Sequence, residues 1–344
     1  MIVLTGPQVD TLLHGHEHDI MAAIAEAYVA HHEGQSNLPN SSFLRFPGKK
    51  RERIIALPAY LGGGFQTAGI KWIASFPENV HQGLERASAA LLLNDVETGH
   101  ATALLEGSII SARRTAASAA LAAQQLHGED APHSVSIIGC GLISFEIVRF
   151  LTELWPELDT LVVRDLSPDR AAQFAERVDA LQPGITVRVA QSAEEALAAS
   201  PVVSFATTAV EPWLDSLDAL APGSTVLHIS LRDLTPELIL ANNNIVDDRE
   251  HVCRAQTSVH LAEQSVGHRN FIGRTLAELL SGASPEPTGA GRHHIFSPFG
   301  LGVLDLALAT IVESRAHETG VGMRIPEFLP APWTERVETH PVAM

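Results

Sequence analysis

The 344-residue sequence predicts an α/β protein: a doubly wound parallel sheet joined to a second, α+β unit. Three observations predict it. From residue 135 onward, short β-branched runs alternate with helical patterns, as expected for parallel strands joined by right-handed helical crossovers. The first such run, Val135-Ser136-Ile137-Ile138, enters the turn Gly139-Cys140-Gly141-Leu142-Ile143-Ser144. Before residue 110 the order differs: a helical stretch, then strands separated by turns, as in an antiparallel sheet.

The glycine turn has a physical meaning. Ile143, Ile147, Phe150, Leu151 and Leu154 recur at helical spacing, so strand, turn and helix are all readable. Gly139 permits the tight turn and Gly141 admits a pyrophosphate to the backbone. Free N–H groups and the dipole at the helix start, near Leu142 and Ile143, favour its charge. Ser144 stands where Gly or Ala is usual and is still small. Thr160–Val163 reads as the second strand. Asp165 follows it, 26 positions after Gly139, where a carboxylate accepts hydrogen bonds from the ribose of NAD. Arg164, Ser167 and Arg170 lie nearby and suit a 2′-phosphate instead. NAD is favoured, because the Asp165 carboxylate would repel that phosphate.

In chain order, residues 8–33 read as one long helix or a helix pair ending near Gly34. His14, His16 and His18 alternate there, a spacing that does not share a helix face, and no Cys or acidic cluster completes a metal site. Residues 41–75 read as antiparallel strands around a charged turn, Lys49-Lys50-Arg51-Glu52-Arg53. The chain has three lysines: Lys49 and Lys50 in that turn, and Lys71 inside an apolar strand. A lysine there must snorkel out, pair with an anion, or titrate low. Residues 88–105 form a third strand group. Ser111-Ala112-Arg113-Arg114-Thr115 then opens an Ala-rich helix over 115–126. Arg114 near its N-terminus opposes the dipole, which an anionic ligand would explain; an ordinary surface arginine is the alternative.

The remaining strands are expected at 135–138, 160–163, 186–189, 202–205, 225–229 and 244–246, with helices at 144–154, 168–181, 193–199 and 236–241. Ligands of such sheets lie across the carboxyl ends of the strands. Thr207 and Ser230 fall in loops there, as does Asp233. Thr235-Pro236 already starts the next helix, so Asp233 is not needed as its cap. It is either a site carboxylate or a solvated loop residue. Leu301, Leu304, Leu308, Ile311 and Arg315 form a last helix suited to closing a two-domain cleft. Segments 282–291 and 326–344 read as a loop and a loose tail.

Composition narrows the partners. A net charge of −17 leaves no basic nucleic-acid footprint and disfavours an anionic membrane surface. No apolar stretch approaches the roughly 20 residues needed to cross a bilayer. Two cysteines, Cys140 and Cys253, fit a reduced, cytoplasmic setting. The N-terminus has no signal-peptide pattern.

These residues together resemble the ornithine cyclodeaminase/mu-crystallin family. Arg45, Lys71, Ser111-Ala112-Arg113-Arg114-Thr115-Ala116-Ala117, Gly139-x-Gly141, Asp233 and the block from Phe296 to Asp305 stand in the family's order. The expected division is a Rossmann-type dinucleotide-binding domain over 117–299, a substrate-binding and dimerisation domain over 1–116 and 300–330, and a tail over 331–344. Within the family, Ser42–Pro47, Gly69–Pro77, Arg86–Ala89 and His228–Leu234 resemble 2,3-diaminopropionate biosynthesis dehydrogenases. That resemblance implies NAD-dependent oxidative hydrolysis of the amino-acid conjugate N-(2-amino-2-carboxyethyl)-L-glutamate. The products are 2,3-diaminopropionate and 2-oxoglutarate, for siderophore or peptide-antibiotic assembly. It also implies that Arg45, Lys71 and Arg114 clamp the α-carboxylate of the glutamate half. Asp233 is then the general base for water attack on the imine, and Lys71 assists proton transfer. Arg86 is assigned another carboxylate, and Ser297 joins the candidate cofactor contacts. Nine of the 23 basic residues lie within 45–114, which suits a substrate with three carboxylates. The family implies a homodimer through the first domain's sheet. Alternatives on the same scaffold are an ornithine cyclodeaminase, a related amino-acid dehydrogenase or ketimine reductase, and a cofactor-holding binder.

Overall fold

The computed structural model describes residues 1–49, 51–127, 131–287 and 291–336. Lys50 of the charged turn, residues 288–290 of the expected loop and residues 337–344 of the expected tail lie outside the described residues.

The first half of the chain runs β1 (Ile2–Leu4), α1 (Gly6–Leu13), α2 (Glu17–His32), β2 (Ser36–Asn37), β3 (Ser42–Arg45), β4 (Arg53–Leu61), β5 (Thr67–Ser75), β6 (Ala87–Asn94), β7 (Ala101–Glu106) and α3 (Ser108–His127). The helix pair breaks at Gly15, whose φ of 73° is left-handed. Its histidines go elsewhere: His16 meets Asp19 and His18 meets Glu153, each at 3.0 Å. Strands β4 to β7 pair antiparallel in sequence order, while β1 joins β7 in parallel. The inward residues, including Leu61, Leu91, Leu93 and Leu105, are buried.

The second half continues with β8 (Ser134–Ile138), α4 (Leu142–Leu154), β9 (Thr160–Arg164), α5 (Pro168–Leu181), β10 (Thr186–Val189), α6 (Ala193–Ala198), β11 (Val202–Phe205), β12 (Thr225–His228), α7 (Pro236–Ala241), β13 (Asn243–Val246), α8 (Arg249–Val252), α9 (Ser258–Val266), β14 (Ile272–Thr275), α10 (Leu276–Leu280), β15 (His294–Ser297), α11 (Gly302–Thr319) and β16 (Met323–Arg324). Strands β8 to β15 form one parallel eight-stranded sheet in the order β10-β9-β8-β11-β12-β15-β13-β14. The order reverses between β8 and β11, which opens the ligand crevice of doubly wound folds at the end of β8. Two strands, β14 and β15, escape the sequence pattern. They are four residues each, and β14 runs straight into α10 with no loop between.

Helix α3 departs furthest from expectation. It starts at Ser108, not near residue 115, so the expected domain boundary at 116/117 falls inside a continuous helix. Alanines let it pack closely between α2 and α4, with α11 and β12 also against it. One apolar cluster therefore runs from Ile2 to Ala316 through both halves. The start at Ser108 also corrects the dipole reading. Arg114 lies two turns inside α3, where the terminal dipole no longer acts on it.

Candidate active site

Two groups of largely buried side chains adjoin the end of β15 and the loop after it. The first is built on β5, α3 and α11. Lys71 is 3% exposed, and its Nζ donates to Asp305 Oδ2 at 2.6 Å and to Ser111 Oγ at 3.1 Å. Arg114 Nε donates to the other oxygen, Oδ1, at 3.3 Å. One buried carboxylate thus holds two cations and leaves one net positive charge for a ligand. Burial pushes the Lys71 ammonium down, Asp305 opposes it and Arg114 adds to it; the result is about 8. Burial would raise the Asp305 carboxyl, but Arg114 and Lys71 hold it below its ordinary range.

The loop after β15 closes over this group. Buried Asp247 accepts the N–H groups of Phe299 at 2.9 Å and Gly300 at 2.6 Å. At Gly300, with φ of 93°, a Cβ would stand 3.0 Å from Arg114 Nη1. The glycine is what lets backbone lie against the guanidinium. Neighbouring Arg113 turns the other way. It is 1% exposed and pairs with Asp10 and Glu146, tying α1 and α4 to α3.

The second group lies at the carboxyl ends of β11, β12 and β15. Asp233 is fully buried. Thr207 Oγ1 donates to its Oδ1, as does Trp213 Nε1 at 2.9 Å, and Ser230 Oγ donates to its Oδ2. Its own backbone N–H donates to His228 Nε2 at 3.1 Å. That makes Nε2 an acceptor and assigns the ring proton to Nδ1, which meets Ser297 Oγ at 3.2 Å. Burial would raise the Asp233 carboxyl; the His228 ring, 3.5 Å from Oδ2, and then the Ser230 and Thr207 hydroxyls outweigh burial and bring it down to about 2. Such a carboxylate is a weaker base than the expected role asks for, since general bases work best near the ambient pH. It is a permanent anion.

The glycine turn fits a dinucleotide. Gly139 has φ of 95°, and a Cβ there would stand 2.6 Å from the Ala206 carbonyl oxygen. Gly141 caps α4, and a Cβ there would meet nothing within 4 Å, leaving the backbone open to a phosphate. No side chain caps α4, and its first turn, with Leu142 and Ile143, holds no acid. Asp165 lies beside this turn at the end of β9. Its Oδ2 accepts the Cys140 N–H at 2.8 Å and its Oδ1 the Ser167 N–H at 2.9 Å. Arg170 is exposed on the first turn of α5.

Arg45 and Arg86 stand apart from both groups. Arg45 is exposed, its guanidinium 5.9 Å from the Phe43 ring. Its register partner Arg53 faces Ser75, four residues along β5 from Lys71, or about 13 Å. Arg86 Nη1 donates to that same Ser75, at 3.2 Å. The expected three-residue clamp is therefore split: Lys71 and Arg114 act together, and Arg45 belongs with Arg86. Asp305, Asp247, His228 and Trp213 were not singled out as site residues from sequence. Asp305 carried one usable signal, its place at the end of the Phe296–Asp305 block.

A parallel sheet with an open glycine turn at its switch point, a buried anion beside it and a cation pair across the crevice define a nicotinamide-dependent enzyme for carboxylate substrates. The family profile of the ornithine cyclodeaminase/mu-crystallin family matches residues 3–320, and the chain belongs to that family. An N-((2S)-2-amino-2-carboxyethyl)-L-glutamate dehydrogenase of Staphylococcus aureus is 28% identical, over 94% of this chain and 97% of its own. Among solved structures, Thermococcus litoralis Δ1-pyrroline-2-carboxylate reductase, in complex with NADH and L-proline, superposes with a TM-score of 0.86 at 26% identity, covering 94% and 100% of the two chains. An archaeal alanine dehydrogenase dimer with bound NAD gives 0.83 at 25% identity, covering 95% and 99%.

Proposed function

We propose that the substrate is N-(2-amino-2-carboxyethyl)-L-glutamate, converted with NAD and water to 2,3-diaminopropionate and 2-oxoglutarate. The chain is an NAD-dependent oxidoreductase acting on an amino-acid CH–NH bond; the proposal concerns which amino acid. The observation that carries it is the division of the cations. Lys71 with Arg114 suffices for one carboxylate, while Arg45, by register, and Arg86, by hydrogen bond, lie at the level of Ser75, about 13 Å further along β5. A substrate with one carboxylate leaves the second pair unused. The relative from Staphylococcus aureus supports the same reading.

When bound at the Gly139–Ile143 turn, with Asp165, Arg170, Thr207, Ser230 and Ser297 along the same sheet edge, NAD supplies the hydride acceptor. Lys71 and Arg114 hold the glutamate α-carboxylate, and arginine suits a bidentate grip. This fixes the Cα–H, and positioning supplies much of the rate. Loss of hydride and of the amine proton leaves an imine. The Asp233 anion stabilises its protonated form and orients the attacking water. Adding that water and breaking the C–N bond gives ketone and amine, with one proton released overall. Lys71, near pKa 8, is placed to relay it.

We place the product in siderophore or peptide-antibiotic assembly and the protein in the cytoplasm, where the free thiols of Cys140 and Cys253 stay reduced. We also propose a homodimer. The outward face of the first sheet carries Ile54, Ile70, Trp72, Leu92 and Leu104, with Trp72 45% exposed. The archaeal alanine dehydrogenase is a dimer.

The test is NADH absorbance after mixing protein, NAD and the synthetic conjugate, with ornithine, proline and alanine in parallel. A steady rise with the conjugate, accompanied by 2-oxoglutarate, supports the reading. Ammonia and proline from ornithine without net NADH would replace it with cyclodeaminase chemistry.

A further inference from the structure

Two more arginines stand with Arg45 and Arg86. Arg53 on β4 is the register partner of Arg45 on one side and of Ser75 on the other, and Ser75 accepts from Arg86. Three guanidinium groups therefore share one end of the first sheet. Arg232 approaches from the other domain. Its Nη2 donates to the Ala255 carbonyl at 2.7 Å, and Ser258 N–H donates to the Leu231 carbonyl at 2.7 Å, so the Arg232 loop and the 254–258 loop form one unit. Arg254 of that unit hydrogen-bonds Asn40, two residues before β3. The unit thus leans across the crevice onto the edge that carries the other three.

No ion pair among the described residues compensates these charges; the Asp233 carboxylate acts on Arg232 only from beyond ion-pair distance. Among the described residues, no carboxylate oxygen lies within 4.0 Å of the Arg45, Arg53, Arg86 or Arg232 side chains. Asp233, next in sequence to Arg232, accepts at both oxygens from Thr207, Trp213 and Ser230. Glu78 pairs with Arg51 at 3.9 Å. Burial, then Arg232, Arg86 and Arg45 in turn, push the Arg53 pKa down. Arg232 is also flanked by non-glycine residues in left-handed backbone: Leu231 at φ 68°, Ala255 at 54° and Gln256 at 56°. Conformations of this kind persist only where surrounding structure enforces them, and they gather at ligand clamps. Like charges held together with partial burial are unfavourable until an anion joins them.

We infer that Arg53 and Arg232, with Arg86, form a second carboxylate subsite that selects amino acids bearing further anionic groups. Arg53 and Arg86 supply its floor from one domain and Arg232 its cover from the other. A ligand spanning both sites joins the domains; alanine or proline reaches only Lys71 and Arg114. The inference rests on the polycarboxylate reading above and adds the residues that would enforce it.

The test uses Arg53→Gln and Arg232→Gln with two readouts. With the conjugate, KM should rise about 10- to 100-fold per variant, the effect of losing a hydrogen bond to a charged group, while kcat changes less. By calorimetry in the presence of NADH, unreactive propane-1,2,3-tricarboxylate should bind the wild type and lose affinity to the same degree in each variant. NADH affinity and melting temperature check the fold. If Arg232→Gln does not fold, Arg232→Lys, which keeps charge and loses the bidentate fork, is read in the same two assays. Tricarboxylate binding that depends on both arginines, in a protein inert toward the conjugate, would keep the subsite and discard the particular substrate. No tricarboxylate binding by the wild type, or variants indistinguishable from it in both assays, would overturn the subsite.

Discussion

Asp233 accepts two hydrogen bonds at Oδ1 and one at Oδ2, which leaves Oδ2 a free lone pair, and that arrangement reports its chemistry. Replacing it with asparagine keeps the shape and removes the anion. We expect Asp233→Asn to bind NADH normally and to lose about 10²- to 10³-fold in kcat, the usual cost of removing one preorganised charge-stabilising group at the reacting centre. Stopped-flow turnover beside NADH titration checks this; near-normal turnover would remove Asp233 from the mechanism. Lys71 gives a pH signature. Its ammonium must be protonated to hold a carboxylate, and burial lowers it to about 8. The pKa lies below that of an ordinary lysine, so the cation is lost as pH rises through about 8, and kcat/KM should fall there. Lys71→Arg stays charged well beyond that point, so its profile should lack this fall even if the rate is lower. An identical alkaline fall in both proteins would assign it to another group.

At the scale of elements, the turn from β8 into α4 separates two duties of glycine. Gly139 is left-handed and abuts the Ala206 carbonyl. Gly139→Ala should therefore destabilise the fold by about 1–3 kcal/mol, read as a lower melting temperature. Gly141 has φ of −106° and open space where its Cβ would be. Gly141→Ala should melt like the wild type yet weaken NAD binding about tenfold or more, because the methyl occupies the approach of the pyrophosphate. Equal NAD affinity in Gly141→Ala would move the phosphate site off this turn. This segment was legible in the sequence because its signals are local. Helix α3 was legible only in part. Its Ala-rich body reads as helix, but its first N–H groups, of Ser108 and Ile109, are capped at 2.7 and 3.1 Å by Glu106 from the end of β7, a strand residue that gives no helix-start signal in sequence.

For the whole molecule, the exposed apolar face of the first sheet is the feature that a lone chain leaves open. Trp72 is its largest side chain, and it alternates with Lys71, so one strand serves the site on one face and the proposed partner on the other. If the proposed dimer forms on this face, the wild type should scatter light as a dimer and Trp72→Glu as a monomer. A variant that remains dimeric would move the interface to another surface. Helix α11, buried through its first half, packs against β4, β5 and α2 and brings Asp305 to Lys71.

The sequence by itself determined the parallel sheet, its glycine turn and the identities of Lys71, Arg114 and Asp233. Each rests on patterns a few residues long: strand and helix periods, a turn that needs a left-handed residue, a charge inside an apolar run. Tertiary structure alone decided what those residues touch. Lys71 meets Asp305 across 234 positions of chain, and Arg232 comes near enough to Arg53 to push its pKa down. No local period encodes such pairs, because folding sets which distant elements are adjacent. The sharing of Asp305 between two cations, the separation of Arg45 from Lys71, and the row of arginines across the crevice appear only once both sheets are packed on α3.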